Sequence, residues 1–242
     1  MKKILFSIVF LGMTLLLAHG TNHTKADVAK KRGDFKAAVK YSLMQLDEDY
    51  KKFGEYSRET MITYGRLGVY AEKIGAYNEA LAYNFEALKI QAKLLDENDA
   101  TRATTYNNMG GIYSKLGKYK EALEYYFQSL KMQEILFGKN DRTSAITNSN
   151  IAKVYRKQGR YKKSLKHYKI SLEIRQETLE KNHYTIALAH SNIGLVYFKL
   201  GKHQEALKEL GKTLKIRKKV FGKEHSFTRK TQKNINYIKS KI

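Results

Sequence analysis

Apolar positions along this chain recur with two periods at once. The short one is helical. Asn148, Ile151, Ala152 and Tyr155 stand at i, i+3, i+4 and i+7, and the same places one block to either side hold Tyr106, Met109, Gly110, Tyr113 and His190, Ile193, Gly194, Tyr197. That spacing puts four side chains on one face of an amphipathic helix. The long period is 42, marked by glycines at 33, 75, 117, 159 and 201. Each glycine separates two helical patterns, as in Gly110-Gly-Ile-Tyr113-Ser-Lys-Leu-Gly117-Lys-Tyr119-Lys-Glu-Ala122-Leu. A fixed period of this size predicts an all-α array of antiparallel helix pairs, whose core is a continuous strip shared between neighbours.

The remaining positions of one block agree with that reading. Small residues at 110, 152 and 194 face Ala80, Ala122, Ser164 and Ala206 on the second helices, so the two helices of a pair can approach closely. Ser57, Asp99 and Asp141 are good helix N-caps, and His183 and His225 hold the same register. Gly54, Gly138 and Gly222 stand where a preceding helix must stop. The pattern predicts a degenerate N-terminal repeat over 21–56, four full repeats over 57–224 and a polar capping helix over 225–242, carrying Ile235, Tyr237 and Ile238.

Tyr106, Met109-Gly110, Tyr113, Gly117, Tyr119, Ala122 and Tyr126 resemble the tetratricopeptide repeat pattern. Two features depart from it. The period is 42 where that repeat has about 34, and the proline after the second helix is missing, the whole chain having none. The long period and the joint Phe221-Gly-Lys-Glu-His225 look like the long repeats of kinesin light chains and their bacterial relatives. The missing N-terminal heptad region argues against a kinesin light chain itself. The resemblance implies a right-handed superhelical solenoid whose first helices line a concave groove. It implies a protein-interaction role with no cofactor, and leaves the partner open.

Ahead of the array, Met1-Lys2-Lys3 and the apolar run Ile4 to Ala18 have the form of a secretory signal peptide over 1–20, closed by Ala18-His19-Gly20. Export to a periplasm or medium is the expectation, and an uncleaved membrane anchor the alternative. Asn22-His23-Thr24 matches a glycosylation acceptor by chance. The formal charge is +23, and there is no cysteine. Such a balance favours acidic peptides, nucleic acid or anionic membranes as partners. No nucleic-acid module is present, and export disfavours nucleic acid as the partner. No histidine falls in a metal-ligating spacing, no phosphate-cradling glycine loop occurs, and no nucleophile–base–oxyanion constellation can be assembled. The sequence predicts no enzyme and no metal.

The informative face is the one the resemblance turns to the groove. On the first helices, positions spaced i, i+4, i+7, i+11 read Thr104, Asn108, Gly111, Lys115; then Ile146, Asn150, Lys153, Lys157; then Leu188, Asn192, Leu195, Lys199. Two ladders emerge. Asparagines stand at Asn108, Asn150, Asn192 and Asn234, with Arg66 in that register of the first full repeat. Lysines stand at Lys31, Lys73, Lys115, Lys157 and Lys199. A row of carboxamides can pair with an extended peptide backbone, and a row of ammonium groups can hold carboxylates. Arg156 and Phe198, one position back, add a guanidinium fork and an apolar contact. The expected partner is a protein or peptide segment of acidic character. The lysine ladder also fits solvated residues near helix C-termini, where cations suit the dipole.

Overall fold

The computed structural model describes residues 22–242. The proposed signal segment, 1–20, lies outside the described residues. Among the described residues the secondary structure is helical throughout: α1 (22–31), α2 (Phe35–Phe53), α3 (Arg58–Lys73), α4 (Tyr77–Leu94), α5 (Ala100–Lys115), α6 (Tyr119–Phe137), α7 (Arg142–Lys157), α8 (Tyr161–Thr178), α9 (Tyr184–Lys199), α10 (His203–Phe221) and α11 (Ser226–Lys239). First helices α3, α5, α7, α9 and α11 begin 42 residues apart, as do second helices α2, α4, α6, α8 and α10. Asn22 is buried and donates to Glu48 at 2.8 Å, so the acceptor pattern is occupied by packing.

Local chemistry explains the starts of the first helices and the turns between the helices of a pair. The Ser57 hydroxyl accepts from the Thr60 N–H at 3.1 Å. The Asp99 and Asp141 carboxylates accept from Thr101 and Thr143 at 2.6 and 2.7 Å. His183 and His225 do the same work through Nδ1, accepting from Thr185 and Phe227 at 3.3 and 3.2 Å. At the turn after α7, Gly159 has φ of +72, the Arg160 N–H reaches the Tyr155 carbonyl, and the Gly159 N–H reaches that of Arg156. That pair of bonds is a Schellman motif, which needs a left-handed residue and so favours glycine. The joints after α2, α6 and α10 stop at Gly54, Gly138 and Gly222, while α4 and α8 end in extended Leu95 and Leu179.

The chain packs as two units, one running up to Leu116 and one over Gly117–Ile242. In unit 1 the core is Met61, Tyr64, Leu67, Ala87 and Ile90, with Ala26, Ala29, Ala38 and Tyr70 beneath α1 and α2. In unit 2 it is Ala152, Tyr168, Ile193 and Val196, continued by Ala206, Leu210, Ile235 and Ile238. Close approach within the pairs is literal. Ser164 Oγ donates to the Ala152 carbonyl at 2.8 Å. A Cβ at Gly194 would stand 3.0 Å from Leu210 Cγ and 3.2 Å from the Ala206 carbonyl.

A polar ladder runs through the same core. Thr63 donates to Asp49, Gln91 to Thr105, Thr147 to Gln133 and Arg217 to Thr231, each pair 14 residues apart. These bonds tie each second helix to the first helix that follows it, at buried or half-buried sites. The rung at 175 is missing because position 189 is alanine, which offers no hydroxyl. Arg175 turns instead to Ser171 and Ser149, at 3.1 and 3.4 Å.

Candidate functional site

In unit 1 the first helices α1, α3 and α5 line a cavity of about 320 Å³ that includes Asp27, Arg66, Thr101, Thr104 and Asn108. Arg66 is not available as a lone cation. Its Nη1 lies 3.1 Å from His23 Nδ1 and 3.5 Å from Asp27 Oδ1. Lys115, on the lysine ladder, pairs with Glu72 at 3.0 Å and sits 5.6 Å from the Tyr77 ring centre. Lys73 is exposed at the end of α3, and Asn108 is half-buried. Two cations of this face, Arg66 and Lys115, thus have carboxylates of their own unit beside them.

In unit 2 the first helices α7, α9 and α11 line a cavity of about 230 Å³ formed by Arg156, Leu195, Phe198, Lys199, Asn234, Tyr237 and Ile238. Four of these, Arg156, Phe198, Lys199 and Asn234, are positions the sequence singles out, here brought to one place. No carboxylate is among the lining residues. Phe198 and Tyr237 meet edge to face, with ring centres 5.8 Å apart, and make the apolar wall. The sequence groups Tyr237 with Ile235 and Ile238 as one pattern. The structure separates them: both isoleucines are buried, and Tyr237 is 55% exposed at the cavity.

The other predicted residues of this face are spread along α7 and α9. Asn150 is half-buried and accepts from Lys153 Nζ at 3.3 Å. Asn192 is half-buried one helix further on. Lys157 lies 5.7 Å from the Tyr119 ring centre, a cation–π contact equivalent to that of Lys115. Partial desolvation, and then the nearby Arg175 and Arg156 guanidiniums, lower the Lys153 pKa from its ordinary value. Arg175, which the sequence reading did not single out, acts on Lys153 through its charge but does not line the cavity. Its signal was the polar ladder, whose rung fails only at Ala189. Ile146 and Leu188, at the other end of the same face, are 50% and 43% exposed.

The charge difference extends beyond the cavities. The 116 residues through Leu116 hold 17 basic and 13 acidic residues, a net +4; the 126 from Gly117 hold 29 and 10, a net +19. Among the described residues no group of His, Asp and Glu is arranged to hold a metal ion, and no helix is long and apolar enough to cross a membrane.

The sequence model of the tetratricopeptide repeat matches residues 59–135, 143–219 and 185–235, more than half of the chain. The chain belongs to the tetratricopeptide repeat family. Solved structures with a similar fold superpose on it. BtubC (BKLC) from P. vanneervenii is 25% identical with a TM-score of 0.74, over 81% of this chain and 78% of that one. A Podosopora anserina putative kinesin light chain with nearly identical TPR-like repeats is 19% identical with a TM-score of 0.71, over 83% and 95%. YrrB, described as a TPR protein with an unusual peptide-binding site, is 17% identical with a TM-score of 0.55, over 86% and 88%. No curated protein matches the sequence. The tetratricopeptide fold is that of a protein-interaction scaffold, and proteins of the family bind protein or peptide partners.

Proposed function

We propose that this tetratricopeptide protein is a non-enzymatic scaffold whose first-helix face in unit 2 holds an extended, acidic segment of a partner protein. The observation that carries the reading is the grouping of Arg156, Phe198, Lys199 and Asn234 around one cavity with no lining carboxylate. Each has a distinct task. The Arg156 fork takes a carboxylate through two N–H bonds. Lys199 adds a second cation, with Lys157 on α7 behind it. The Asn234, Asn192 and Asn150 amides donate to and accept from the ligand backbone. Phe198, Tyr237 and Leu195 receive an apolar side chain, and Ile146 and Leu188 offer further apolar contact. Residues 1–20 direct export as a signal peptide and are then removed; intact Met1 in a membrane fraction would contradict that part.

A direct test is fluorescence anisotropy with a labelled peptide of alternating Glu and Leu, its Gln counterpart, and a single-stranded oligonucleotide of equal charge. The reading expects the Glu peptide to bind tighter than the Gln peptide by about tenfold or more, and with a steep salt dependence. Equal affinity for the Gln peptide would overturn the acidic preference. Binding of the oligonucleotide as tightly as the Glu peptide would replace the reading with a general polyanion binder.

A further inference from the structure

One contact between the two helices of a pair changes its chemistry along the chain. On first helices the register 64, 106, 148, 190 reads Tyr, Tyr, Asn, His; on second helices the register 83, 125, 167, 209 reads Tyr, Tyr, His, Glu. In unit 1 the Tyr64 and Tyr83 rings meet with centres 6.3 Å apart. In unit 2 the His167 Nδ1–H donates to Asn148 Oδ1 at 2.8 Å, and His190 Nδ1 pairs with Glu209 Oε2 at 2.5 Å. Two phenol rings have thus become an imidazole and a carboxylate. Against the His190 pair lies a cavity of about 430 Å³, lined by Lys181, Ile186, His190, Lys212, Lys215 and Ile216.

The charges around this cavity do not cancel. Glu209 is the carboxylate beside it, and both its oxygens are taken, one by His190 and one by Lys212 Nζ at 2.8 Å. Lys181 and Lys215 make no ion pair among the described residues. His190 is 5% exposed, and with Nδ1 held by Glu209 its Nε2 edge is the one left for a ligand. Ile186 and Ile216 supply an apolar wall. A space of this size is in the range that takes small molecules. The cavity shares no residue with the one lined by Arg156 and Lys199.

We propose that this cavity is a second binding site, for a small organic phosphate whose head lies among Lys181, Lys215 and His190 and whose ring or short chain lies on Ile186 and Ile216. Charge matching favours phosphate over carboxylate: a phosphate monoester near neutral pH carries roughly −1.5 to −2, close to the two unpaired ammonium groups. Glu209 acts as a positioning residue: with Nδ1–H donating to it, the ring offers Nε2 as an acceptor for the P–OH of a phosphate monoanion.

The test is a titration of the full chain with phenyl phosphate, inorganic phosphate and benzoate, following backbone amide shifts by NMR. Phenyl phosphate should saturate shifts at Lys181, Ile186, His190 and Lys215, and bind more tightly than the other two by about tenfold. Lys181→Ala with Lys215→Ala should weaken it by about tenfold or more, whereas Arg156→Ala with Lys199→Ala should change it less than about twofold. His190→Tyr with Glu209→Tyr restores the aromatic pair of the earlier repeats and should abolish binding. Equal weakening by the two lysine- and arginine-bearing pairs would show diffuse charge attraction and overturn the site. So would shifts at His190 that never saturate, or unchanged affinity in a folded His190→Tyr, Glu209→Tyr protein.

Discussion

In unit 1 the guanidinium on the first-helix face, Arg66, has a carboxylate 3.5 Å away and an imidazole 3.1 Å away, and Lys115 is paired with Glu72 at 3.0 Å. In unit 2 the same face carries Arg156 and Lys199 around a cavity that no carboxylate lines, with Lys153 nearby between Arg156 and Arg175. The helices begin at the same 42-residue spacing in both. The repeat thus sets where side chains stand, and the individual residues decide whether a face is satisfied within its own unit or left seeking an anion. Cations neutralised by the chain gain little from a ligand's carboxylate, while unpaired cations in a recess gain more.

The comparison can be broken most strongly through packing. Gly194→Val should destabilise unit 2 by about 1–3 kcal/mol, since even a Cβ there stands 3.0 Å from Leu210 and 3.2 Å from the Ala206 carbonyl. Denaturant unfolding should show this loss while amide exchange in α1–α5 is retained. Equal loss of protection in both units would mean that they unfold as one.

A second difference appears with pH. His167 is half-buried, stacked on Tyr155 and bonded to Asn148, where unit 1 has Tyr83 in that register. Burial, and then the Lys166 charge, push its pKa down from 6.5 to about 4. A histidine held neutral in the folded state leaves stability full above about 6.5 and removes it as pH falls towards about 4, where the loss levels off. The expected loss between those values is about 1–3 kcal/mol. It should be absent from the corresponding difference measured on His167→Phe. A variant that loses stability over the same range as the parent protein would assign the effect to other groups.

Smaller effects sharpen the picture. Gly65 in α3 and Gly211 in α10 are helical glycines with open space at the Cβ position. Gly65→Ala and Gly211→Ala should each stabilise their own unit by roughly 0.5–1 kcal/mol in thermal melts. Lys115→Ala should move stability by less than about 1 kcal/mol, because its pair with Glu72 is partly exposed. A larger change would mean that the unit 1 face is held together by this charge pair.

Much of this was legible from residue order. The glycine period, the cap register and the i, i+3, i+4, i+7 stripes describe local geometry, and each is decided within a few residues along the chain. That Arg156, Phe198, Lys199 and Asn234 share a helix face was legible for the same reason: the period carries one helix face onto the next. What stayed hidden depends on partners from different registers. Asp27 reaches Arg66 from α1, and Glu72 on α3 reaches Lys115 on α5; neither pair belongs to a repeated spacing. Tyr237 was read with its buried neighbours because it stands between Ile235 and Ile238 in one short helical pattern. Arg175 came into view only through a rung that fails at Ala189. His190 stands on the same first-helix stripe as Tyr64 and Tyr106, but its partner is a carboxylate in place of a ring.

The most direct measurement compares the two faces in one experiment. Calorimetric titration of the Glu–Leu peptide should be run on Arg156→Ala, Lys199→Ala and on Arg66→Ala, Lys115→Ala, with thermal melts confirming that both proteins are folded. Removing the unit 2 pair should weaken binding by about tenfold, and removing the unit 1 pair by less than about twofold. Equal losses from the two pairs, or a larger loss from unit 1, would contradict the assignment of the ligand to the uncompensated face of unit 2.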